Sequence, residues 1–253
     1  MAEHVEIATR GPVLEIHLNR PDKKNAITSA MYATIADAMT AARANPAIRA
    51  ILFAGHGPAF CSGNDLQDFL ANPLDQDSPV LRFLACLADT PKVMIAAVQG
   101  HCVGIGATLL LHCDHVVADP TANLQFSFVK MALVPEAGSS LLLPRAVGRL
   151  KAAELLLLGD PVPASEAQAL GLVSRVVAEG TQLEGARAFA ARLEGLPPQA
   201  LSATRTLLKA DSQTVSARMR DENDVFQQRL ASGEFREAVS AFLQKRPANF
   251  SKC

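Results

Sequence analysis

Tryptophan is absent from this chain of 253 residues, tyrosine occurs once, and aromatics make up only 5% of the total. That scarcity argues against the stacking surface on which single-stranded nucleic acids are held. Neither sign of charge is in excess: 24 Lys and Arg stand against 25 Asp and Glu, a formal net charge of -1. Nothing in that balance draws the chain to nucleic acid or to an anionic membrane. No apolar run reaches membrane-spanning length, since LLLLGDPV at 155–162 is cut short by Gly159, Asp160 and Pro161. The five cysteines, Cys61, Cys86, Cys102, Cys113 and Cys253, are odd in number and form no C-x-x-C pair. Free thiols in a reducing compartment fit that usage. MAEHVEIATRG lacks a signal core and a transit pattern, and the terminal SKC only loosely resembles a peroxisomal address. The expectation is a soluble cytoplasmic protein.

What is present is apolar: 49% of the residues are hydrophobic, enough for a large core. VEIAT and VLEIHL alternate around Gly11-Pro12, as a two-stranded hairpin does. Thr28 or Ser29 then caps a helix with apolar positions at Met31, Ile35, Ala38, Met39 and Ala42. RAILFAG reads as a short buried strand, VMIAAV, HVVAD and LQFSFV as further strands, and ATLLLHC as a helix. The pattern predicts an α/β architecture, with two short strands per helix favouring a stacked spiral over a simple doubly wound sheet. Beyond EGTQLEG the chain reads as four amphipathic helices with charged outer faces. Residues 1–195 are therefore expected to form the core and 196–253 a helical region that packs back or onto another subunit.

Two loops, CSGNDL at 61–66 and GHCVGIG at 100–106, lead from a strand into a helix. The first N–H groups of a helix lack intrahelical partners, so two such turns face to face would hold an oxyanion. Without further information, ordinary strand-to-helix turns are the commoner reading of such loops. Glu136, in ALVPEAGSSLLLPR, meets no basic residue until Arg145. It is either a helix-start acid complementing the dipole or a carboxylate set in an apolar pocket to move a proton.

LNRPDKKNAI, FCSGNDL, IAAVQGHCVGIGATLLLHCD and LVPEAGSSLLLPRAVG, in that order, resemble the crotonase or enoyl-CoA hydratase/isomerase superfamily. ELLLLGDPVPASEAQALGLVSRVV extends the likeness to about residue 180. The resemblance implies a crotonase-like spiral of ββα units with a C-terminal helical trimerisation region, assembled as a homotrimer or a hexamer of paired trimers. It implies an acyl-CoA thioester as substrate, with no further cofactor, because coenzyme A is part of the substrate. By motif position the oxyanion amides are those of Ser62 and Ile105. Lys23, Lys24 and Ala26 match the loop near the nucleotide of CoA, and Ser62, Gly63, Asn64, Asp65 and Leu66, with Gly104, match the wall along it.

The departures from the hydratase pattern are equally informative. The positions of the two hydratase glutamates fall on Thr108 and Phe128, which hold no catalytic proton at neutral pH, so ordinary hydration is disfavoured. The sequence around Glu136 is similar to the Δ3,Δ2-enoyl-CoA isomerase branch of peroxisomal type, whose glutamate is the base. That implies double-bond migration from the 3 to the trans-2 position of an enoyl-CoA. Another acyl-CoA reaction on the same scaffold, or a non-catalytic acyl-CoA binder, remains open. HCDH at 112–115 lacks a second ligand cluster of zinc spacing, so no metal is expected. Cys61 reads as a small buried filler, Asp65 as a helix cap and Asp68 as a solvated residue. A dienoyl-CoA isomerase would need an extra acid, which only Asp65 or Asp68 could supply.

Overall fold

The computed structural model describes residues 4–71, 78–209 and 212–253. Residues 1–3, where the expected core region begins, and Ala210 of the LLKA stretch lie outside them. The chain opens with β1 (Val5–Arg10) and β2 (Val13–Leu18), antiparallel and paired from Val5–Leu18 to Arg10–Val13, so Gly11-Pro12 is the whole turn. Gly11 has φ 54°, which glycine tolerates without strain. α1 (Ser29–Ala44) follows, with Thr28 as its cap: the Thr28 hydroxyl accepts the N–H of Met31 at 3.3 Å. β3 (Ala50–Gly55), α2 (Leu66–Ala71), α3 (Pro79–Asp89) and β4 (Val93–Val98) come next.

β3 and β4 are apolar on both faces because both are covered. Ile51, Phe53, Met94, Ala96 and Val98 face the larger core with α1 and α3, whereas Ala50, Leu52, Ala54, Val93, Ile95 and Ala97 face a smaller one. The chain continues through β5 (His101–Val103), α4 (Ile105–Leu110), β6 (His115–Ala118) and β7 (Asn123–Gln125), then α5 (Ser139–Val147) and α6 (Arg149–Leu158). β8 (Val162–Pro163), α7 (Ala164–Ala169), β9 (Arg175–Val176) and α8 (Gln182–Ala191) complete the core, α8 covering the smaller apolar face.

The strands form a sheet ordered β1-β2-β3-β4-β6-β9, parallel after the first pair, and a second sheet ordered β5-β7-β8. Two departures from the sequence reading have local causes. The glycine-bearing stretch after β4 holds a strand, β5, because His101–Val103 pairs with β7. The LQFSFV strand stops at Gln125: its carbonyl accepts Gly104 N–H at 3.0 Å and its side chain donates to Gly159 O at 2.7 Å, and the chain then turns away.

α9 (Pro198–Leu208), α10 (Ser212–Leu230) and α11 (Gly233–Leu243) follow, α10 lying against α3 and α5 and α11 against residues 129–131. Phe226 of α10 and Phe235 of α11 are buried by this return. The charged face expected along RMRDENDVF is not wholly solvated, since Glu222 is only 7% exposed. Among the described residues no helix is long and apolar enough to cross a membrane.

Candidate active site

The two glycine loops are joined by main-chain bonds. Cys61 N–H donates to His101 O at 3.0 Å, and Val103 N–H donates to Cys61 O at 2.9 Å. A Cβ on Gly106 would lie 2.8 Å from Cys61 O, so this approach requires glycine. Gly104 begins the helical turn with φ 56° and ψ -121°, leaving Ile105 as the first residue of α4. Lys23, Lys24, Ala26, Ser62, Gly63, Asn64, Asp65, Leu66, Gly104 and Ile105 all line one cleft of about 800 Å³. Phe128 and Phe226 contribute to its apolar surface and Lys130 and Arg246 to its charge.

The structure corrects one amide assignment. Ser62 N–H is spent on Lys24 O at 3.0 Å, and the Ser62 hydroxyl donates to Lys23 O at 3.3 Å. The bridge between Ile27 and Asn64 decides which amides turn outward: Ile27 N–H reaches Gly63 O and Asp65 N–H reaches Ile27 O, both at 2.9 Å. That alternation leaves Asn64 N–H pointing away from Ile27. Among the described residues, Asn64 N–H on the first loop and Ile105 N–H on the second meet no acceptor, as do the helix-start N–H groups of Leu66 and Gly106. Asn64 was singled out in the sequence only as part of the wall. Its side-chain oxygen accepts the Tyr32 hydroxyl at 2.5 Å, which pins the residue.

Glu136 does not line the large cleft. It borders a small cavity of about 20 Å³ beyond Phe226, with Phe69, Leu84, Met219 and Glu222 among its neighbours. Phe226 faces both spaces and meets the edge of Phe69 with ring centres 6.1 Å apart. Glu136 is only 8% exposed. Thr108 Oγ1 donates to its Oε1 at 3.2 Å, so the carboxylate sits against α4 one turn along from Ile105. Burial pushes its pKa up to about 8, the Thr108 hydroxyl working against that and the nearby Glu222 adding to it. The helix-start reading of Glu136 is thereby corrected: the first turn of α5 is served by another carboxylate. Glu222 accepts Gly138 N–H at 2.6 Å and Ser140 N–H at 2.9 Å.

Other candidates take structural places. Asp65 caps α2 through the N–H groups of Gln67 and Asp68, both at 3.1 Å, and pairs with Arg20 at 2.7 Å. These partners outweigh its burial and lower its pKa. Asp68 is not merely solvated: it accepts Ser29 N–H at 2.7 Å, tying α2 to the start of α1. His112 contacts Ala137 O at 2.7 Å and burial lowers its pKa to about 3, so the neutral ring donates there. Burial raises the Cys61 thiol to about 12, which leaves it unreactive packing. Lys24 Nζ lies 3.2 Å from His101 Nε2 at the mouth of the cleft.

A layered α/β spiral whose two glycine loops line one cleft has the crotonase fold. The enoyl-CoA hydratase/isomerase profile matches residues 8–252, and the chain belongs to that family. A crystal structure of an enoyl-CoA hydratase/isomerase from Pseudoalteromonas atlantica T6c superposes with a TM-score of 0.94 at 36% identity, covering 98% of this chain and 100% of that one. The Escherichia coli 1,2-epoxyphenylacetyl-CoA isomerase is 36% identical over 94% of this chain and 95% of its own length. Human enoyl-CoA delta isomerase 2 is 34% identical over 96% of this chain, which spans 64% of that protein. Relatives named as hydratases occur at similar identity.

Proposed function

We propose that this enzyme moves a double bond from the 3 to the trans-2 position of an enoyl-CoA. Glu136 takes a proton from C2, and the released electron pair delocalises onto the thioester oxygen as a dienolate. The N–H groups of Asn64 and Ile105 receive that charge, and Glu136, now protonated, returns the proton to C4. Atoms and charge balance without metal or redox cofactor. Lys23 and Lys24, with His101 beside them, suit the phosphates at the nucleotide end of CoA. The reading also includes assembly as a homotrimer or a pair of trimers; the exposed Leu150, Leu157, Leu207 and Leu208 are apolar surface such an assembly would cover.

The observation that carries this reading is the Thr108–Glu136 hydrogen bond. It fixes a proton-holding carboxylate, buried and raised toward working pH, on the helix whose first amide is free. It also speaks against hydration: the position expected for one hydratase acid is occupied by a hydroxyl that serves Glu136. The acyl end must displace Phe226 to reach the carboxylate, so the reading requires that side chain to yield. Glu136→Gln is expected to abolish conversion of 3-enoyl-CoA to trans-2-enoyl-CoA while leaving acyl-CoA binding nearly intact. Undiminished turnover would refute it.

A second reading keeps the site and changes the acyl group. Phe69, Phe128 and Phe226 offer aromatic surface, and one relative is named for an arylacyl-CoA. A panel of thioesters separates the two, since preference for an aryl over a straight-chain substrate would displace the fatty-acyl assignment. Binding without turnover of any member would make the protein an acyl-CoA binder instead.

A further inference from the structure

Glu222 is a buried carboxylate that the proton transfer above does not use. It arrives from α10, 84 residues along the chain from Gly138, and spans the turn after Glu136 with both oxygens: one accepts Gly138 N–H at 2.6 Å, the other Ser140 N–H at 2.9 Å. That turn needs holding. Ala137 and Gly138 lie consecutively in the left-handed region, with φ of 57° and 72°, and Ala137 carries a side chain. The turn is also held by His112, which donates to Ala137 O at 2.7 Å, and by Ser139, whose N–H and Oγ donate to Glu136 O at 3.0 and 2.6 Å. Glu222 also borders the same small cavity as Glu136, so the two carboxylates share one dry space.

We propose that Glu222 is the positioning residue of Glu136: it clamps the turn that aims the carboxylate and supplies the negative charge against which Glu136 titrates. The proposal rests on Glu136 being the base. The two acids are not equivalent. Burial raises the pKa of Glu222 as well, but the Ser140 hydroxyl, two backbone N–H groups and the nearby Arg218 work against that, whereas Glu136 has one hydroxyl donor. Glu222 therefore loses its proton first, and its charge then holds the proton on Glu136. The other groups around Glu136 are neutral or apolar. Burial raises Tyr32 and Cys61 and lowers His112, α3 offers Val80, Leu81 and Leu84, and α2 offers Phe69. Asp68 acts on Tyr32 from α2 and is held by Ser29 N–H.

The test is a carbon-13 carboxyl NMR titration of the full chain, with the Glu136 signal assigned by its loss in Glu136→Gln, together with the pH profile of kcat/KM. In Glu222→Gln the charge is gone, so the Glu136 titration and the acid limb of the profile both move to lower pH. One oxygen is replaced by a donor that faces a donor, so kcat falls on the order of tenfold to a hundredfold with KM little changed. Glu222→Asp, which keeps the charge, returns the titration toward the wild-type position. An unmoved Glu136 titration in folded Glu222→Gln overturns the proposal. If that variant does not fold, the wild-type titration decides: a second inflection in the Glu136 signal where Glu222 ionises supports it, and a single step overturns it. The NMR reading needs no turnover, so a shifted titration in a protein inert toward 3-enoyl-CoA would sink the isomerase assignment alone.

Discussion

The mouth of the cleft and the small cavity beyond Phe226 both hold titratable groups, yet they obey different rules. At the mouth Lys23 and Lys24 are exposed, water screens them, and among the described residues no carboxylate pairs with them. In that cavity Glu136 and Glu222 are buried, and every partner counts: the Thr108 hydroxyl on one, two backbone N–H groups and the Ser140 hydroxyl on the other, and each other. The mouth can attract and loosely orient a polyanion. Only the dry cavity can change what a carboxylate does at neutral pH.

The largest effect that would break this contrast is catalytic. Glu136→Gln should lower isomerase turnover by about a thousandfold or more, measured with 3-enoyl-CoA at saturating concentration; a loss below tenfold would put Glu136 on a par with the screened mouth. Next comes stability. The folded chain holds the Glu136 proton up to about pH 8, whereas its ordinary value is 4.5. Between those values the folded state binds a proton that the unfolded state has released, so stability falls as pH rises and the cost is complete above pH 8. Glu136→Gln removes that dependence. Denaturant melts at pH 5 and pH 9 should show the variant gaining on wild type by up to about 4 kcal/mol between the two.

Smaller is Thr108→Val, which keeps the volume and removes the donor. It should raise the Glu136 pKa further, move the acid limb to higher pH, and cost about tenfold in kcat/KM at pH 7. A limb that stays in place would remove the hydroxyl from the account. Smallest is Lys24→Ala at the mouth. KM for the CoA thioester should rise about two- to fivefold at low salt and converge on wild type as salt increases, with kcat unchanged.

How far these places could be read in advance depended on how local their causes are. VMIAAV was legible as a strand, because it is a short uninterrupted apolar run; that both its faces are covered came from the structure. The Gly11-Pro12 hairpin was legible from alternation on either side. LQFSFV was over-read because its end is set by Gly159 and Gly104, far away in sequence. Ser62 was taken for an oxyanion donor because motif position does not say which way each amide faces; the bridge from Ile27 to Asn64 decides that. Glu222 had no signal at all, lying in an acid-rich stretch that reads as a solvated helix face.

The amino-acid sequence by itself determined the alternation that builds the sheets, the glycines that allow two loops to touch, and the presence of a lone acid in an apolar stretch. Tertiary structure alone decided which amides stay free, that Glu136 is dry, and that a second carboxylate from α10 faces it. Propensity and turn geometry act between neighbours in the chain, whereas desolvation and Coulomb interaction depend only on distance in space.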